Sequence, residues 1–248
     1  MIKLEICAGS LEDCIISDKN NIKRVELNSA LYLGGLTPSL GTFLLAKEQT
    51  NLEIICMIRP RGAGFCYSEY EIETMFLDAK LFLEEDVDGL AFGFLNEDKS
   101  INIELTKKMV NLIHSYGKTA VFHRAFDICE DPYQAIEQLI ELGVDRVLTS
   151  GQKMTAIEGK NLIFDLIEKY QDKIEILPGC GINDQNVEEL LEKKKINQIH
   201  SSCKNYKKDK TTKNEVDYSY DQDLSYEFVD DEKIKLLLNK INERENND

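Results

Sequence analysis

Short runs rich in β-branched and apolar residues alternate with longer amphipathic runs, and the alternation recurs eight times along this chain. A strand, a helix-length segment and a second strand make a crossover unit, and such units build parallel sheets. Crossovers of one hand, repeated eight times, close into a barrel. The expected fold class is therefore α/β, a single (β/α)8 TIM barrel made of one domain over residues 1–248. An open doubly wound sheet is the alternative, but eight even units of about 30 residues favour closure. The length agrees, since such barrels commonly run to about 250 residues.

The expected strands are Ile2–Ile6, Ile22–Leu27, Leu52–Ile58, Val87–Phe92, Lys118–Phe122, Val144–Leu148, Ile174–Leu177 and Ile196–His200. The helices between them are expected near Leu11–Asp18, Ser39–Thr50, Ser68–Glu84, Ile101–Tyr116, Pro132–Leu142, Thr155–Tyr170 and Asn183–Glu192. A last helix is expected over about Asp230–Asn242, after an irregular segment at about 203–228. Asp131 followed by Pro132 reads as an N-cap and first helical residue. Gly117 and Gly143 stand where helices should stop.

A formal net charge of −15 argues against a nucleic-acid partner, because binding phosphates needs a basic face. The first residues, MIKLEICAGS, lack the apolar core of a signal peptide. No apolar run approaches the roughly 18 residues of a membrane span. Seven scattered cysteines without a C-x-x-C pair fit a reducing compartment. The expectation is a cytoplasmic chain with no membrane partner.

A barrel of this kind carries its site at the C-terminal ends of the strands. Only six of the 30 basic residues are arginine, and Arg59, Arg61 and Arg124 fall in strand-end loops. The guanidinium fork suits carboxylate or phosphate, so the three are candidates for holding a small anionic metabolite. The competing reading is an ion network with Glu5, Glu26 and Asp127. The loop PGCGI, with Gly179 and Gly181, bares backbone N–H groups that suit an anion, or simply forms a tight turn. His123 and His200 sit at strand ends, as acid/base groups, ligands or hydrogen-bonded rim residues. Glu5, Glu26 and His123 are the candidates for acid/base catalysis should the barrel be an enzyme acting on a phosphorylated or other anionic metabolite. Cys7, expected one residue past the first strand, is a soft-metal donor or a small buried hydrophobe.

The strings RVELNSALYLGGLTPS, MIRPRGAGFCYS, FHRAFD, ELGVDRVLTSG and PGCGI resemble the CutC copper-homeostasis family, from about Leu4 to Ser202. The resemblance implies a (β/α)8 barrel, a role in cytoplasmic copper homeostasis and a homo-oligomer. It implies copper as Cu(I), with Cys7 in LEIC matching the first of two family cysteines. The second family position is Asn28 in VELN, so one thiol is missing. Cys180, in place of the usual glycine of PGGGI, is another thiol on the same face.

Overall fold

The computed structural model describes residues 2–192, 195–219 and 225–246. Eight parallel strands form the central sheet: β1 (Lys3–Ala8), β2 (Arg24–Leu27), β3 (Glu53–Met57), β4 (Gly89–Phe92), β5 (Thr119–Phe122), β6 (Arg146–Thr149), β7 (Glu175–Pro178) and β8 (Gln198–Ser201). They run in the order β7-β6-β5-β4-β3-β2-β1-β8. Each neighbouring pair in that order is a parallel backbone ladder. Between β7 and β8 the Gln198 side-chain amide donates to the Ile176 carbonyl at 3.4 Å. The sheet is thus a nearly closed (β/α)8 barrel.

The helices α1 (Leu11–Lys19), α2 (Leu40–Gln49), α3 (Glu69–Glu84), α4 (Ile103–Ser115), α5 (Pro132–Glu141), α6 (Lys160–Tyr170), α7 (Val187–Leu191) and α8 (Asp231–Asn246) pack outside it. Local chemistry sets many of their starts. Ser10, Ser39, Asn102 and Asp131 each accept a hydrogen bond from the first turn of their helix. Ser68 and Glu71 form a reciprocal capping box on α3. Gly117 and Gly143 take φ of 70° and 79° just past α4 and α5, a region open to glycine. The apolar core lies between strands and helices, with Ile6, Val25, Ile54, Leu90, Phe122, Val147, Ile176 and Ile199 facing the helical layer.

Three expectations need correction. First, β1 runs to Ala8, because Cys7 pairs with Glu26 and the Asn28 N–H donates to the Ala8 carbonyl at 2.8 Å. Cys7 therefore lies inside the strand rather than past it. Second, α6 starts at Lys160 instead of Thr155, and α7 is only five residues long. The 151–159 segment is a compact turn in which Gly151 and Gly159 press their backbones together. Third, the 203–228 stretch is not irregular throughout. β9 (Lys204–Lys208) and β10 (Ser225–Val229) form an antiparallel hairpin. Residues 220–224, within that stretch, lie outside the described residues. The hairpin docks on α1: the Val229 N–H donates to Asp13, and Lys207 pairs with Glu12 at 2.9 Å.

Candidate functional site

Side chains two apart on a barrel strand share a face, so each strand sends alternate residues into the lumen. One side of the lumen is apolar, where Ile55, Met57, Ala91 and Val121 form a cluster separate from the outer core. The other side is polar, carrying Glu5 and Cys7 from β1, Arg24 and Glu26 from β2, Arg146 from β6, and Gln198 and His200 from β8. Arg24 Nε donates to Glu5 Oε2, and its Nη2 donates to Gln198 Oε1 at 2.7 Å. Arg146 bridges Glu175 at 2.6 Å and approaches Glu5 Oε2 at 4.0 Å. His200 Nδ1 lies 2.7 Å from Glu5 Oε1. Burial alone would raise the Glu5 carboxyl, but the His200 hydrogen bond and the charges of Arg24 and Arg146 bring it down to about 2. Glu5 is thus a buried carboxylate shared by several cationic groups, which is the costly arrangement unless each charge is matched.

Just above it, donor atoms of Cys7, Glu26 and His200 all lie within 4.8 Å of one another. Asn28 Nδ2 donates to Glu26 Oε2 at 3.0 Å and stands 3.6 Å from Cys7 Sγ. Burial would depress His200, yet the Cys7 thiol and the Glu5 and Glu26 carboxylates raise it well above 6.5. Burial raises the Cys7 thiol and the Glu26 carboxyl, against the pull of His200. Gly179 makes room for this arrangement, since a Cβ there would meet Leu148 Cδ1 at 2.6 Å and His200 Cβ at 3.2 Å.

The structure therefore gathers Glu5, Cys7, Glu26 and His200, which the sequence only placed on a common face. The other candidates are spread around the rim. Arg59 donates to the carbonyls of Leu33, Gly35 and Ala63. Arg61 pairs with Glu71 and donates to Gly62, Gly64 and Cys66 carbonyls, so it staples its own loop. Arg124 pairs with Asp127 at 2.9 Å, and Asp127 also accepts from Thr149 and from the Ser150 and Gln152 backbone. His123 is buried, with Nδ1 accepting from the Ala125 N–H at 3.1 Å. The Gly181 carbonyl accepts from Asn186, closing the PGCGI turn, and Cys180 Sγ donates to the Met154 carbonyl at 3.1 Å. Cys180 is outside the Cys7 cluster found among the described residues.

Sequence reasoning missed Arg24, Arg146 and Gln198. A signal existed: each is polar at an inward strand position, and Arg24 shares strand parity with Glu26. It also missed Gly93, which stands two residues above the inward-facing Ala91. A Cβ at Gly93 would lie 2.6 Å from His123 Cε1, so only glycine lets that ring lie where it does.

Comparison with known proteins bears on this arrangement. The CutC family model matches residues 2–205. A CutC family protein of Treponema denticola is 48% identical over 212 residues, covering 86% of this chain and 85% of the relative. A mouse protein named as a copper homeostasis protein cutC homolog is 40% identical over 201 residues, covering 81% of this chain and 73% of the relative. A crystal structure of a CutC protein from Streptococcus agalactiae superposes with a TM-score of 0.76 at 33% identity, covering 82% of this chain and 99% of that one. Phosphoribosylanthranilate isomerase from Thermotoga maritima, with a TM-score of 0.57 at 14% identity, shares the fold alone. With the family strings in order and the barrel in place, this chain belongs to the CutC family.

Proposed function

We propose that this chain is a cytosolic copper-homeostasis protein that binds Cu(I) weakly at the barrel mouth, through Cys7 with His200 and Glu26. The observation that carries the reading is the meeting of a thiol, an imidazole and a carboxylate within 4.8 Å. A thiolate and an imidazole are fitting donors for Cu(I), and the carboxylate is a hard, weak third. Glu5 holds His200 by Nδ1 and leaves the ring's other nitrogen for a metal, the carboxylate–histidine support common at metal sites. Binding is weak for two reasons. Asn28 supplies a carboxamide where a second thiol would stand, and capture must displace the proton of a thiol that burial stabilises together with a proton of the His200 ring that its thiol and carboxylate neighbours retain. Seven unpaired cysteines support a reducing compartment.

The test is a titration of the reduced protein with Cu(I) against a chromophoric Cu(I) chelator. One copper per chain is expected, and Cys7→Ser should abolish capture. Unchanged capture in Cys7→Ser sinks the proposal.

A further inference from the structure

Of the three donors at the barrel mouth, Cu(I) uses the thiol and the imidazole well and the carboxylate poorly, yet the carboxylate is fixed in place. Glu26 is buried, and Asn28 Nδ2 donates to its Oε2 at 3.0 Å. His200 is held in the same manner, by Glu5 at its Nδ1. Partners of this kind orient the donors of a metal site. A carboxylate contributes little to a soft monovalent ion, which bonds through sulfur and imidazole. Zinc takes thiolate sulfur, imidazole nitrogen and carboxylate oxygen alike.

The spacing suits a single ion. Cys7 Sγ lies 4.0 Å from Glu26 Oε2, and donor atoms of all three residues fall within 4.8 Å of one another. Around a tetrahedral zinc the donors stand roughly 3.3–3.6 Å apart, so the three need to close in by only about 1 Å. The charge count points the same way. Arg24 and Arg146 serve Glu5, and Arg124 serves Asp127. Among the described residues, no lysine or arginine pairs with Glu26. A coordinated thiolate and carboxylate therefore leave two negative charges for the ion to balance. A divalent ion brings the site to neutrality, whereas Cu(I) leaves one charge unmatched, and unmatched buried charge is costly.

We propose that this site also takes Zn(II), bound by Cys7, His200 and Glu26, with Glu26 the donor that separates zinc from copper and the fourth position left to water or a small ligand. The inference rests on the reading of these three residues as a metal site, and its test keeps the two ions apart. Metal-free, reduced full-length protein is titrated with Zn(II) and, separately, with Cu(I), each against a chromophoric chelator, and with Co(II) as a spectroscopic stand-in for zinc. One Zn(II) per chain is expected. Glu26→Gln should weaken Zn(II) binding by roughly tenfold or more while changing Cu(I) affinity by no more than about threefold. Co(II) should give a thiolate charge-transfer band that Cys7→Ser removes, a signature that a purely structural Cys7 would not produce. Cu(I) capture without Zn(II) binding overturns the inference and leaves the copper reading standing. Zn(II) binding without Cu(I) capture does the reverse, and binding of neither ends both. Zn(II) affinity unchanged in Glu26→Gln, an equal loss for the two ions, or a Co(II) spectrum without the thiolate band also overturns the inference. Should Glu26→Gln fail to fold, the wild-type titrations and the Co(II) spectra of wild type and Cys7→Ser decide.

Discussion

His200 Nδ1 lies 2.7 Å from Glu5 Oε1, and both side chains are buried in the barrel lumen. The pair joins two systems. Below it, Glu5 neutralises Arg24 and approaches Arg146; above it, His200 faces Cys7 and Glu26. Glu5 sets the orientation of a candidate metal donor and balances the buried charge of the barrel at once.

Removing that carboxylate charge should therefore be costly. Glu5→Gln leaves Arg24 and His200 without their anion, and stability should fall by about 3–5 kcal/mol, the cost of breaking a buried pair. Urea unfolding measures it. A loss of less than about 1 kcal/mol would show the network to be dispensable.

Asn28 stands 3.6 Å from Cys7 Sγ through its amide nitrogen, so a thiol at this position can reach the same ion. Asn28→Cys should tighten Cu(I) capture at least roughly tenfold, because a second thiolate replaces a hard carboxamide. Chelator competition reads the change. Equal or weaker capture would place the copper elsewhere.

His123 gives the protein an acid liability. Its folded pKa of about 3 lies below the unfolded value of 6.5, so the unfolded chain binds more protons between those values. The neutral ring's contribution is whole above pH 6.5 and is lost as pH falls towards 3, at about 1.4 kcal/mol per pH unit. The stability gap between wild type and His123→Phe should shift by that slope between pH 6 and 4, measured by denaturant unfolding at each pH. A gap independent of pH would mean the buried ring accepts its proton freely.

Gly93 is the position where a single methyl should matter most to the far wall of the mouth. A Cβ would lie 2.6 Å from His123 Cε1 and 2.7 Å from Ala125 Cβ. Gly93→Ala should cost about 1–3 kcal/mol by overpacking and displace the His123 ring. Gly64→Ala, with nothing within 4 Å of the added carbon, is the control and should be close to neutral. Equal thermal stabilities for the two variants would refute the packing claim.

The barrel was legible because its signal is local and repeated. Ile54, Leu90 and Val147 mark strands by composition, and Ser68 with Glu71 or Asp131 with Pro132 mark helix starts within a single turn. The hairpin of Lys204–Lys208 and Ser225–Val229 was not legible. It read as an irregular segment, and only its docking on α1, with Lys207 on Glu12 and the Val229 N–H on Asp13, gives it partners. The rim arginines were visible as a group, yet their differences were not. Arg61 and Arg124 have carboxylate partners while Arg59 has none among the described residues, and no spacing in the chain distinguishes them.

By itself, the sequence determined the order of strands and helices, the face on which polar residues collect, and the family strings. Those depend on the properties of neighbouring residues, and neighbours in the chain are always read together. Which of those polar residues meet was decided only by closing the barrel. Glu5 and His200 are 195 positions apart and become partners because β1 and β8 pair edge to edge. Arg24 and Gln198 join them through the same closure. A contact of that range is fixed by the register of strands and the inward turn of alternate side chains, which no local stretch of sequence contains.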